Sequence, residues 1–402
     1  MTRRRVAVLG AGIMGSSLAI SLARRGLDVV LIDREDAPVA ATSRWNEGKI
    51  HLGFLYAADP TLATATHLVP GGLAFGRHLS ELISGDLTQR TTTTDDTYLL
   101  HRRSVVGFDE VGARFAAVCE LVRAHPDAGA YLTDLRHATV RAIPSRELDA
   151  LATDDVVAGF RVPERSVDTR WVADQLGAAA LAEPHVELRL STTVTSVRPV
   201  ESVHGRWRVS GTPDLDEAFD LVVNALWQGR LLVDATAGLA PPTSWTHRYR
   251  LCTFVRTREP VAVPSAIAMV GPFGDVKNFG DRDFYLSWYP VGLRAQGGDL
   301  APPQPAPLDS SEEPVFVEAV RRGLETVMPS VGQVFDAAEE VLVRGGHVFA
   351  QGSGSIGERG SSLHRRDRYG VERLGSYVSV DTGKYSTAPW LAAQLARELA
   401  EA

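Results

Sequence analysis

The sequence predicts an α/β fold in two interleaved parts, one doubly wound about a parallel sheet and the other an α+β part on an antiparallel sheet. Three observations carry this: a strand, glycine turn and helix between Arg5 and Asp33, alternating apolar and polar runs in the interior, and a turn opening an apolar helix near the carboxyl end. At 402 residues the chain is long enough for a large core and two closely joined domains. Hydrophobic residues at 44% and charged residues at 23% match an average globular protein and exclude disordered, collagen-like and coiled-coil classes.

Charge and cysteine usage narrow the class further. A net charge of −7 argues against nucleic-acid binding, because phosphate contacts need a concentrated positive field. The short basic run Arg3-Arg4-Arg5 reads as a solvated terminus and leads into the first strand without a signal-peptide hydrophobic region. Cys119 and Cys252, the only two cysteines, exclude a disulfide framework and a multi-cysteine metal site, so no metal is expected and a cytoplasmic setting fits. Apolar runs break well short of membrane-spanning length. The expected partner is a small-molecule substrate.

The first element is the strand Val6 to Leu9, which runs into Gly10, Gly12 and Gly15. Gly10 permits a tight turn, Gly12 admits a pyrophosphate against the backbone, and Gly15 lets the next helix lie close to the strand. That helix is expected from about Ile13 to Arg25, with Leu18 and Leu22 on one face, Gly26 as its stop, and the positive end at Ile13 and Met14 aimed at the phosphates. A buried strand from Asp28 follows and ends in Asp33, an acid placed to accept hydrogen bonds from the adenosine ribose, with Arg34 next. This Rossmann-like unit is compatible with FAD or NAD, and the acid weighs against NADP.

Between Ala41 and Tyr56 small, polar and aromatic residues mix without a helical or strand period, which predicts an extended loop. Here the chain resembles the D-amino-acid oxidase superfamily of flavoproteins, particularly its glycerol-3-phosphate dehydrogenase and 2-hydroxyglutarate dehydrogenase-like branches. The matching residues are Ser43, Arg44, Asn46, Gly48, Ile50, His51 and Gly53. The resemblance implies FAD, with this segment, including Thr42 and Lys49, passing along the flavin. A second match lies between Ser379 and Pro389, where Gly383 marks a turn and Thr387 and Pro389 signal a helix start. It is similar to the family's closing motif, which implies that Gly383, Lys384, Tyr385, Ser386 and Thr387 abut the isoalloxazine. Hydride transfer leaves negative charge on the flavin, and a helix amino-terminus with the Lys384 ammonium suits that charge.

The middle of the chain matches in outline. Val167-Asp168-Thr169-Arg170 before an alanine-rich helix resembles the opening of the second crossover, and Val194 then meets adenine. The strand from Asp220 to Trp227 resembles the family's but lacks a glycine shortly after Ala225, which puts the local loop in doubt. Aromatic hydroxylases share the nucleotide fold, but their late Asp-Gly dipeptide is missing, since only the reverse order occurs, as at Gly274-Asp275 and Gly280-Asp281, neither of which has the strand-then-helix context.

If both ends hold one flavin, its domain is discontinuous: 1–90, 147–243 and 338–402, with a substrate domain of 91–146 and 244–337. Thr97 to His101, Tyr249 to Arg256 and Asp283 to Tyr289 read as strands and Asp109 to Ala124 as a helix, while the proline-rich 301–307 reads as a surface loop. No internal repeat is visible. His51 is the leading catalytic candidate, as base, hydrogen-bond donor or covalent anchor. Arg250, Arg44 and Arg344 are candidates to bind an anionic substrate group, and Tyr285 and Trp288 to line its pocket. The run from His364 to Tyr369 reads as a solvated loop. The predicted function is an FAD-dependent oxidase or dehydrogenase acting on a CH–NH or CH–OH group of a small polar metabolite. The rivals are an NAD-dependent dehydrogenase and a non-catalytic flavin-binding sensor or assembly protein. The electron acceptor is left open between oxygen, a quinone and another protein.

Overall fold

A computed structural model describes residues 4–201 and 205–401. Arg3 of the basic run, and positions 1–3 and 402 of the expected domain limits, lie outside the described residues. The strand Arg5–Leu9 is apolar on both faces and sits inside a six-stranded sheet, in parallel pairing with Asp28–Ile32 on one side and Leu221–Asn224 on the other. Val186–Arg189 extends the sheet beyond Asp28–Ile32, and Tyr377–Asp381 extends it beyond Leu221–Asn224, both parallel. Gly370–Leu374 closes the edge in antiparallel pairing.

The helix Ile13–Ala23 is buried along its whole length, because Ala388–Glu401 and Thr169–Ala182 pack on it and Ala63–Leu82 closes over Ala388–Glu401. It ends at Ala23, slightly short of the expected Arg25, and the chain reverses through Gly26 at φ +87°. Among the described residues, no helix is long and apolar enough to cross a membrane.

A nine-stranded sheet carries Asp96–His101, Val156–Val162, Thr246–Thr257, Asp283–Trp288 and Ala338–Ala350 among its members. One of its faces rests on the helix Glu312–Glu325 through a separate apolar core containing Val255, Leu286, Trp288 and Val320. Two strands cross the expected boundaries. Val156–Val162 pairs with Asp96–His101, and Ala338–Ala350 runs the length of Thr246–Thr257, so both join the antiparallel sheet although 147–243 and 338–402 were expected to serve the parallel one. Such membership depends on distant pairing partners, which a local apolar pattern does not encode. The stretch 301–307 has no regular structure, and Gln228 Nε2 donates to the Pro302 carbonyl at 3.0 Å.

The loop after residue 41 is pinned by Gly48, which sits at φ +62° where an added Cβ would lie 1.9 Å from the Val167 carbonyl oxygen. A Gly48→Ala variant should lose at least about 2 kcal/mol of unfolding free energy, from the left-handed backbone and the overlap together. A urea midpoint equal to that of the parent would show that the loop does not depend on this contact.

Candidate active site

A cleft opens at the carboxyl ends of the parallel strands, where Gly10, Asp33, Ala225 and Thr382 follow their strands in succession. Gly10 turns at φ +95°, where an added Cβ would lie 2.8 Å from the Ala225 carbonyl oxygen, and a Cβ on Gly15 would lie 1.8 Å from the Gly10 carbonyl oxygen. Gly10 and Gly15 therefore serve the tight turn and the close helix approach that their spacing predicts, and Gly12, Ile13 and Met14 line the cleft beside the positive end of the helix. Ser43 Oγ accepts from the Ile13 N–H at 3.1 Å, which docks the loop across that helix end. Asn46 ties its own turn, donating to the Thr42 carbonyl at 3.0 Å and accepting from the Gly48 N–H at 2.9 Å.

Asp33 and Arg34 line the cleft. The Asp33 carboxylate also fastens the glycine turn, accepting from the Ala11 N–H at 2.5 Å and the Glu35 N–H at 2.9 Å. Burial raises its pKa against those bonds. Val194, with Thr192 and Thr193, closes the same end.

At the other end Gly383, Lys384 and Tyr385 line the cleft. Ser386 and Thr387 stand behind them: Ser386 Oγ accepts from the His51 N–H at 3.3 Å, and the Thr387 hydroxyl donates to the Lys384 carbonyl at 2.7 Å. Tyr385–Thr387 forms a single tight turn that continues into Ala388–Glu401. Lys384 Nζ lies 5.6 Å from the centre of the Tyr56 ring, whose other neighbour is the His51 ring at 5.9 Å.

His51 is buried in the cleft wall, and among the described residues neither ring nitrogen has a hydrogen-bond partner. Its Nε2 lies 3.7 Å from Glu47 Oε1. Burial, reinforced by the Lys384 charge, drives the imidazole pKa down to about 4 against the pull of Glu47. Burial pushes Glu47 up, but His51 and Lys384 outweigh it and hold the acid ionised.

Several expected positions serve as supports. Arg44 turns away from the cleft to Asp174 at 2.6 Å, and Ile50 pairs with Arg165 on a two-stranded ribbon. Lys49 reaches the cleft, but its ammonium bonds to Asp96 and, at 3.3 Å, to Glu164. Lys277 Nζ meets the same Asp96 at 2.7 Å, and Glu164 takes the Leu52 N–H at 2.6 Å and the Tyr98 hydroxyl. Burial opposes charge on Lys49, yet Asp96 and Glu164 raise its pKa. This buried quartet has no sequence signal, because its members come from four remote segments.

Arg250 and Tyr285 do not line the cleft itself. They stand on neighbouring strands of the nine-stranded sheet, and both lie in the field of Glu47, which does line it. Arg250 donates to Ser287 Oγ at 3.0 Å, and Ser287 donates to Asp275. Trp288 lies on the opposite face, under Gly323, because three residues along a strand reverse the side. Arg344 is exposed and bonds to the Val343 carbonyl. Arg366, from the run expected to be solvated, is buried. Sequence reasoning also missed Glu47, inside the matched segment, and Trp227 and His347, which line the cleft.

Among the described residues, no group of three or more histidine, cysteine or acidic residues is placed to hold a metal ion. The lining fits a flavin dinucleotide: glycine backbone and a helix end would face its diphosphate, and the His51 nitrogens and Tyr385 hydroxyl, without a hydrogen bond among the described residues, would face its ring. Fold and site together define a flavin-dependent oxidoreductase. A family model described as FAD dependent oxidoreductase, DAO, matches residues 5–376, and the chain belongs to that family, with FAD as its cofactor.

Solved structures share the fold at low identity. L-alpha-glycerophosphate oxidase from Mycoplasma pneumoniae, solved with FAD bound, is 15% identical with a TM-score of 0.68 over 100% of this chain and 96% of that one. Glycine oxidase from Geobacillus kaustophilus is 16% identical with a TM-score of 0.68, covering 99% and 95%. Iminodiacetate oxidase from Chelativorans sp. BNC1 is 18% identical with a TM-score of 0.65, covering 98% and 94%.

The His51 environment yields a pH prediction. The folded imidazole, at about 4 against 6.5 unfolded, refuses a proton that the unfolded chain accepts. Its contribution is complete above pH 6.5, declines as pH falls towards 4 and then levels off, for a loss of about 3 kcal/mol. Urea unfolding of the apoprotein should show this slope flattened in His51→Gln. An unchanged slope would mean that His51 protonates freely in the folded state.

Proposed function

We propose that the chain oxidises a small polar metabolite at a CH–NH or CH–OH carbon and passes the electrons to FAD. The observation that carries this reading is a buried imidazole in the cleft wall whose ring nitrogens have no hydrogen bond among the described residues, 3.7 Å from Glu47 and in the field of Lys384. Bound in the cleft, FAD supplies the two-electron acceptor. Gly10, Gly12, Ile13, Met14, Asp33, Arg34 and Val194 would hold its adenosine diphosphate, and Thr42, Ser43, Asn46, Lys49, His51, Gly383, Lys384 and Tyr385 its ring system, with Gly15, Gly48, Ser386 and Thr387 supporting them from behind.

His51 takes the proton from the substrate nitrogen or oxygen through a ring nitrogen, and the Glu47 carboxylate steadies the imidazolium that results. Arg250 binds an acidic substrate group and is itself fixed by Ser287 and the Tyr289 ring, whose centre lies 4.8 Å away. Lys384 and the start of the last helix place positive charge where negative charge grows. The nine-stranded sheet roofs the site against water. Strands Val156–Val162 and Ala338–Ala350 belong with this substrate-binding part. The names of the similar structures include an amino acid, an imino diacid and a hydroxyl compound. Two buried free thiols, Cys119 and Cys252, fit a cytoplasmic setting.

Anaerobic mixing of the yellow holoenzyme with a panel of amines and hydroxy acids tests this reading. At least one compound should bleach the visible flavin bands, and a panel without effect would overturn catalysis. A Lys384→Met variant should keep its flavin yet be reduced about a hundredfold more slowly. Equal rates would remove Lys384 from the mechanism.

A further inference from the structure

Arg248 and Arg250 both meet Tyr289, neither with a carboxylate in contact among the described residues, and Arg366 lies within electrostatic reach of Arg248 and Tyr289. Arg248 and Arg250 lie two apart on the strand Thr246–Thr257, so their side chains leave the same face about 7 Å apart. Arg248 Nη1 donates to the Tyr289 hydroxyl at 3.1 Å, and the Arg250 guanidinium lies over the same ring. Arg366 comes from the loop after Ser362–His364 and spends its Nη1 on the carbonyls of Leu363 and Arg365, each at 2.7 Å. Arg248 and Arg366 are 4% and 8% exposed, and the Nε atoms of Arg248, Arg250 and Arg366 are buried without a partner among the described residues.

Their charges are not balanced alike. Arg250 shares Asp275 through Ser287 and feels Glu47. Among the described residues, neither Arg248 nor Arg366 forms an ion pair; the acid whose field reaches Arg366 is Asp381, which is engaged by Arg230 at 2.9 Å. Burial lowers the Arg366 pKa to about 10, and the like charge of Arg248 adds to that. His364, also buried, lies in the field of both and is pushed towards neutrality by burial. A buried guanidinium without a counter-charge is strongly unfavourable, so this pair is built for an anion that arrives from outside. Tyr56 joins the two regions, standing beside His51 and Lys384 and within the field of Arg366.

We propose that the substrate carries two acidic groups, one facing Arg250 and a second, carboxylate or phosphate, held by Arg248 and Arg366 beside Tyr289. The proposal rests on the catalytic reading only in taking this region for the substrate chamber. The pair acts as a specificity determinant: a substrate with a single acidic group leaves two buried positive charges unanswered, whereas a second carboxylate answers one of them and a phosphate up to both.

Equilibrium titration of the holoenzyme, read by the shift of its visible flavin bands, tests this with propionate, succinate and phosphoglycolate. At least one of succinate and phosphoglycolate, each of which carries a second acidic group, should bind tenfold or more tightly than propionate. The preference should vanish in Arg248→Met and Arg366→Met, with propionate affinity within about twofold of the parent. The ligand-free Tm should rise in both variants, because an unbalanced buried charge is gone, whereas a structural role predicts a fall. Equal binding of all three probes, or a preference for the second acidic group that survives both substitutions, overturns the proposal. The parent comparison decides alone if a variant fails to fold. Selectivity for the second acidic group without flavin bleaching by any substrate would refute catalysis and leave this site standing, and bleaching without such selectivity would do the reverse.

Discussion

Parallel pairing at the centre of the six-stranded sheet is the constraint on which the rest depends. Arg5–Leu9 lies beside Leu221–Asn224, which lies beside Tyr377–Asp381, and every one of these strands points the same way. Three turns from distant parts of the chain therefore open on one edge, and a helix follows each of them. Without that register Gly12 and Lys384 would share no cleft, and the His51 N–H would not meet Ser386. The loop from Thr42 to Gly53 crosses the gap between them, and Ser43, Gly48 and the Lys49 quartet each tie it to a different neighbour.

The electrostatics divide into two kinds of burial. Lys49, Lys277, Asp96 and Glu164 balance one another and are satisfied by hydrogen bonds, so they hold the loop from behind. His51, Arg248 and Arg366 are buried with bonding capacity left over. Groups of the first kind stabilise a single arrangement of the backbone. Those of the second weaken the empty protein and gain their partners only when the chamber is filled, as expected where stability is given up for binding.

Much of this was legible in the residues. The glycine spacing, the acid at position 33 and the turn from Gly383 to Thr387 each have a local mechanical meaning, so they survive translation into three dimensions. The antiparallel strands were visible by alternation, but the partners of Val156–Val162 and Ala338–Ala350 were not, because pairing is non-local. The same limit explains Arg44, drawn off by Asp174, and Trp288, whose face depends on register. It explains Arg366 as well: a run of four charged residues reads as solvated until burial by distant segments is known. Glu47 was within reach, since it sits four residues before His51 in the matched segment, but a family pattern does not mark it.

The central claim is that one FAD spans the cleft from the glycine turn to Lys384. Titration of the apoprotein with FAD, followed by quenching of flavin fluorescence, measures it most directly in the parent and in Gly12→Asp, which sets a carboxylate where the pyrophosphate belongs. The account predicts saturation at one FAD per chain in the parent and loss of binding in the variant. Equal binding by both proteins, or none by the parent, would contradict it.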